Sequence, residues 1–160
     1  FLVAFRSYLG VFFNVTYPTF CGLISTRFNH AKSYLFKITI FNVVFLSVVA
    51  FLIVLSMPFL IDYFNFTHQV KQGLRLSSYL LFLPVIIALN IPFYQTLLYQ
   101  NQHKKIVSTS IIALLITAIL GVLLTYNYSL YGIILTLYAT EIFVTTAMWI
   151  NGKKNWQYEK

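Results

Sequence analysis

The stretch LFKITIFNVVFLSVVAFLIVLSMPFLI, residues 35–61, decides the fold. It carries one charge, Lys37 at its start, and runs past the roughly 20 residues that cross a hydrocarbon core. It has no period-two alternation and is too long for a strand, so a membrane-spanning helix is the reading. Working outward, four more segments share that character. They are residues 1–25, interrupted by Arg6 and Pro18, then 77–99, 106–126 and 130–150. The expected architecture is therefore all-α: a polytopic integral membrane protein of about five transmembrane helices, with a tail over 151–160.

Composition supports this. Hydrophobic residues make up 59% and charged residues 9% of the chain, and the mean hydropathy is +0.79. A water-soluble domain carries roughly 25% charge, so this chain lacks the polar surface to enclose itself in water. The net charge of +8 comes from short basic clusters between apolar runs. Such clusters orient helices in a membrane and do not make a phosphate-binding face, which argues against nucleic acid as a partner. Residues 26–37, 100–105 and the tail hold eight basic residues, while 62–76 hold two, Lys71 and Arg75. The positive-inside rule then puts 26–37, 100–105 and the C-terminal tail in the cytoplasm, and 62–76 outside. Tyr63, Phe64, Phe66, Tyr126, Tyr128 and Tyr131 fall at the opposite helix ends, and Trp149, Trp156 and Tyr158 near the tail, as interfacial anchors do. The chain begins at Phe1 and is already apolar, without the pattern of a signal peptide. It is expected to be a piece of a longer protein.

Enzyme chemistry finds no support in the residues. There is no Ser/His/Asp arrangement and no glycine-rich phosphate loop, so neither catalytic residues nor cofactors are expected. Cys21 is single, and His30, His68 and His103 fall in separate expected loops, so no metal site is expected. The Asn-x-Ser/Thr triplets at Asn14, Asn65 and Asn127 read as by-products of an Asn-rich composition.

Candidate sites are the polar interruptions of the helices. Pro84 and Pro92 with Asn90 between them make the third segment a broken helix, on which Asn90 and Tyr94 share a face beside Gln95. That arrangement fits either a structural kink or a cavity-lining helix. Arg6 either snorkels to the surface or faces an anionic substrate in a cavity. Lys37 reads as an interfacial anchor and Asp62 as a headgroup-level acid. Glu141 is different, because it lies roughly 14–16 Å from either end of its helix, beyond the reach of its short side chain to water. With Tyr138 and Thr145 it forms one polar stripe, beside a small-residue face of Gly132, Thr136, Thr140 and Ala147. An intramembrane acid is a functional-site candidate or a buried hydrogen-bonded clamp. Both readings of Glu141 stay open here.

The segments YPTFCGLIST, YQNQHKK and YNYSLYGIILTLYATEI, in this order around a helix with paired prolines, resemble a known group. They are similar to the C-terminal helices of bacterial polysaccharide flippases. These are the O-antigen transporter branch of the multidrug/oligosaccharidyl-lipid/polysaccharide exporter superfamily. Tyr131, Gly132 and Glu141 match that family's start to its last helix, whereas Ile134 and Leu135 replace its frequent second small residue. The resemblance implies a two-lobed, alternating-access carrier, of which this chain would form most of the C-terminal lobe. It would lie in the bacterial inner membrane and move an undecaprenyl-diphosphate-linked oligosaccharide, an O-antigen or capsule repeat unit. Implied partners are that lipid-linked oligosaccharide, membrane lipids and polysaccharide assembly proteins. The resemblance points to Arg6 for the diphosphate and to Glu141 for a coupling ion or a sugar hydroxyl. Two alternatives stand beside it: a cation-coupled multidrug exporter of the same superfamily, and a non-transporting scaffold or inactive remnant.

Overall fold

The structure is a computed structural model that describes residues 2–26, 28–64 and 67–155. Within these, the side chains of Leu2, Arg6, Thr26, Phe28, Asp62, His68, Gln69, Lys154 and Asn155 lie outside the description. The readings made on Arg6, Arg27, Asp62, Asn65, Phe66, Trp156, Tyr158 and Lys160 therefore fall outside it, and so does the His68 side chain.

The described chain is helical throughout apart from its short turns. Helices α1 (Leu2–Thr26), α2 (Phe28–Tyr63), α3 (His68–Tyr79), α4 (Leu83–Tyr99), α5 (His103–Tyr128) and α6 (Leu130–Asn155) follow one another, with one 3₁₀ turn over Leu80–Phe82. Four stretches are long and apolar enough to cross a membrane: Asn29–Ile61, Val70–Tyr99, His103–Tyr128 and Leu130–Lys153. Helix α1, at 25 residues, has the length for a fifth. Many large apolar side chains are exposed, among them Phe36, Phe41, Phe59 and Leu114. That surface is stable in lipid and not in water. This is an all-α, multi-pass membrane protein.

Two connections differ from expectation. The basic stretch 26–37 is not a loop, because α2 begins at Phe28 and takes His30, Lys32 and Lys37 into its first turns. At 36 residues α2 is about 54 Å long, well beyond the hydrocarbon thickness, so its basic end can stand in the headgroup zone. The stretch 62–76 holds most of α3, a 12-residue amphipathic helix that runs on to Tyr79. Its polar composition masked it in the sequence.

The prolines act unequally. Pro84 cannot donate a backbone N–H, and its ring crowds the carbonyl four residues back. The chain answers with the 3₁₀ turn, in which the Leu83 N–H bonds the Leu80 carbonyl. Pro18, Pro58 and Pro92 lie inside helices that continue past them. The expected break at Pro92 is thus absent, and the third segment breaks once, before Pro84. At the other end of α4, Asn101 takes a φ of 55°. The N–H of Gln102 reaches Leu97 O at 2.9 Å and that of Asn101 reaches Leu98 O at 3.0 Å, a Schellman closure that turns the chain into α5.

Packing follows chain order. Leu9 and Phe5 of α1 meet Leu46 and Ala50 of α2, and Phe20 meets Ala31 and Leu35, so these helices are antiparallel. Helix α4 lies against α1 and α2 on one side and against α6 on another, with α5 packed on α6. Helix α4 is the shared wall of the bundle.

Candidate functional site

The two sides of α4 present different chemistry. Toward α1, Gln95 is fully buried, and its Nε2 donates to Thr16 Oγ1 at 2.8 Å. The Thr16 hydroxyl in turn donates to Phe12 O at 2.9 Å. The Gln95 Oε1 is buried without a hydrogen-bond partner. Asn42 on α2 is also fully buried, and neither its Nδ2 nor its Oδ1 has a partner. Leu46 and Ile91 belong to one core cluster, and α2 and α4 run in opposite directions. Asn42 and Gln95 each lie one turn from that layer on the side of the Phe20–Tyr99 ring contact, so they share a level with Thr16. Thr39 and Thr96 are buried on the same helices, and Thr96 Oγ1 donates to Pro92 O at 2.8 Å. A buried amide left without a hydrogen bond costs about 1–3 kcal/mol by protein measurements. This layer keeps three such atoms.

Toward α6, the contacts are periodic. Tyr138 Oη donates to Tyr79 O, and Thr145 Oγ1 lies 3.5 Å from Ile86 O. A Cβ at Gly152 would sit 3.1 Å from the Phe93 ring. These pairings keep one offset of 59 residues, so α4 and α6 run parallel and meet every seventh residue. That is the geometry of a coiled-coil seam. Between the contact positions, the remaining seam positions on α6 are Glu141 and Met148; Met148 is 2% exposed and Glu141 is half-buried. Glu141 therefore stands on the α4-facing stripe of α6, at the level of the 3₁₀ turn. Tyr79 caps the start of the 3₁₀ turn, and its carbonyl, which has two lone pairs, also accepts from the phenol.

The small-residue face of α6 packs on α5. Thr140 and Thr117 share a hydrogen bond of 2.9 Å. Gly121 lies beside Thr136, and a Cβ at Gly132 would fall 2.1 Å from Leu124 O. Only glycine admits that backbone approach.

The sequence candidates are thus divided among places. Tyr138, Glu141 and Thr145 line the α4–α6 seam. Asn90 is half-buried between Ile86 and Phe93 on α4, with its Oδ1 unpaired. Tyr94 turns to α1, its ring meeting Phe13 edge-on at 5.6 Å. Arg6 is on α1 beside Phe5, and its side chain is outside the description. The structure adds Asn42 and Thr16, which neither charge nor proline singles out, and promotes Gln95 from a neighbour of Tyr94 to a member of the buried layer. One signal was available for Asn42: it is the single amide side chain in residues 35–61.

Fold and site together define a multi-pass helical membrane protein with two intramembrane polar layers on either side of one helix. No protein-family model, curated protein or solved structure matches the chain.

Proposed function

We propose that this chain is part of a membrane transporter, and specifically of a flippase for undecaprenyl-diphosphate-linked oligosaccharide in the bacterial inner membrane. The observation that carries transport is the buried layer of Asn42, Gln95 and Thr16. Unpaired amide atoms in lipid are expensive, and polar residues inside a membrane concentrate on substrate and ion pathways. A layer with spare hydrogen-bonding capacity can change partners when helices shift, as alternating access requires. The flippase assignment rests on the resemblance of Tyr131, Gly132, Glu141 and the flanking segments to that family. The sequence count of eight basic residues in 26–37, 100–105 and the tail, against Lys71, Arg75 and Arg6 elsewhere, supports a cytoplasmic C-terminus.

In this reading α4, α5 and α6 move as one body, and α1 and α2 form the wall they move against. Glu141 braces the seam of that body through its carboxyl, and Arg6 attracts the diphosphate. The test is deletion of the intact protein. Surface polysaccharide is expected to disappear while the lipid-linked oligosaccharide accumulates on the cytoplasmic leaflet. Normal surface polysaccharide in the deletion strain would reject the assignment. The 160 residues expressed alone are expected not to restore export, because the cavity needs both lobes.

A further inference from the structure

The end of the bundle that carries α3 holds a feature the transport reading does not use. A cavity of about 620 Å³ opens between α2, the 3₁₀ turn and α6. Apart from Ser78, its walls are apolar or aromatic, among them Val54, Tyr79, Phe82, Ile134, Leu135 and Tyr138. The size is within the range of small-molecule pockets, about 300–1,000 Å³. A second concavity, of about 380 Å³, adjoins it and is lined by Lys71, Gln72, Arg75 and Leu76 of α3 with Tyr131 of α6. Tyr131 borders both. A third, of about 230 Å³, brings Arg75 against Met57 and Ile61 and shares Val54 and Ser78 with the first. The three form one groove, apolar inside and cationic at its mouth.

The cations are placed by the helix. Lys71 and Arg75 are four residues apart on α3 and so project from one side. Neither makes an ion pair among the described side chains. If Asp62, at the end of α2, is counted against them in full, the mouth still keeps a positive charge. Helix α3 is the least apolar of the six and follows directly on α2, where a helix of this kind lies in the headgroup zone. The Tyr138–Tyr79 hydrogen bond and the Tyr79–Tyr131 edge contact at 6.4 Å hold the wall between chamber and mouth.

We infer that this groove binds one anionic glycerophospholipid, with its phosphate between Lys71 and Arg75 and one acyl chain in the apolar chamber. Charge complementarity selects the headgroup. The chamber accounts for a chain, which a free phosphate would leave unmatched. A zwitterionic lipid would satisfy the chamber but bring its own cation to a cationic mouth. The inference depends on the fold alone and stands whether or not the protein is a flippase.

The test uses the full chain purified in neutral detergent, with bound lipid counted by native mass spectrometry. Phosphatidylglycerol, phosphatidylethanolamine with the same acyl chains, and inorganic phosphate are added in separate arms. Phosphatidylglycerol is expected to be retained in preference to phosphatidylethanolamine. Lys71→Gln and Arg75→Gln should each lower its retention about 5-fold, and the double variant about 30-fold. Leu135→Trp, which fills the chamber from its rim, should lower retention with the mouth intact. All these positions are partly or fully exposed, and an unchanged thermal unfolding curve shows that the variants fold. Equal retention of the two lipids, or a double variant that retains phosphatidylglycerol as the parent does, would overturn the inference. So would binding of inorganic phosphate at Lys71 and Arg75 with no lipid retained.

Discussion

The two sides of α4 solve the same problem in opposite ways. Toward α6, the Tyr138 hydroxyl donates to the Tyr79 carbonyl at the start of the 3₁₀ turn, and the helices touch at every seventh residue. Behind α6, the Thr117–Thr140 bond and the glycine contact at Gly132 close the α5 interface. Toward α1 and α2, by contrast, Asn42 and Gln95 are enclosed with three polar atoms unpaired. One side is close-packed and, among the described residues, leaves a single buried polar atom without a partner, the Asn90 Oδ1, so it resists rearrangement. The other has hydrogen-bonding capacity to spare, so it can exchange partners at little cost. A close-packed interface and one with spare hydrogen-bonding capacity thus share a single helix.

The comparison is broken most easily at its tightest point. Gly132→Ala places a methyl group 2.1 Å from a backbone oxygen, so the two helices must separate. A loss of about 1–3 kcal/mol is expected, read as a lower thermal midpoint in detergent. An unchanged midpoint would show that α5 and α6 are not in close contact. Next in size is Tyr138→Phe, which removes the phenol hydrogen bond to the Tyr79 carbonyl. The expected loss is about 0.5–1.5 kcal/mol by the same measurement, and no loss would show that this bond adds nothing to the seam. Thr140→Val removes a hydrogen bond between helices while keeping shape. Such bonds average about 0.6 kcal/mol in membranes, so a small but resolvable shift is expected. A cost above that of Gly132→Ala would invert the order of contributions proposed for this interface.

Glu141 lies on the α4-facing stripe of α6. On the proposed transport reading, a carboxyl that braces the seam by hydrogen bonding predicts that Glu141→Gln keeps most export and that Glu141→Ala loses it. Loss in both variants would favour a charge role, and full export in both would remove Glu141 from the site.

Much of this was legible in the sequence, for physical reasons. Long apolar runs without alternation admit one structure in lipid, so the helices of residues 35–61, 106–126 and 130–150 could be read directly. The polar stripe of Tyr138, Glu141 and Thr145 and the small face of Gly132, Thr136 and Thr140 also follow from helical periodicity alone. What faced each stripe could not be read. The parallel pairing of α4 with α6 joins residues 59 positions apart, and no local pattern encodes that offset. Helix α3 escaped because its polar face resembles a loop in composition. The extension of α2 back to Phe28 escaped because its basic residues mark a headgroup zone, which helices enter as readily as loops. Asn42 escaped because a single amide in an apolar helix has no partner in the sequence to give it meaning. Only the packing of α1, α2 and α4 shows that it is enclosed.

Asn42 is also where the account is most exposed. If its buried, unpaired amide is retained for transport and not for folding, then Asn42→Leu, similar in size and without polar atoms, separates the two. The direct measurement is thermal stability and surface polysaccharide export of that one variant in the intact protein. The account predicts a midpoint equal to or above that of the parent, by up to about 1–3 kcal/mol, together with loss of export. A destabilised protein, or a stable one that exports normally, would contradict it.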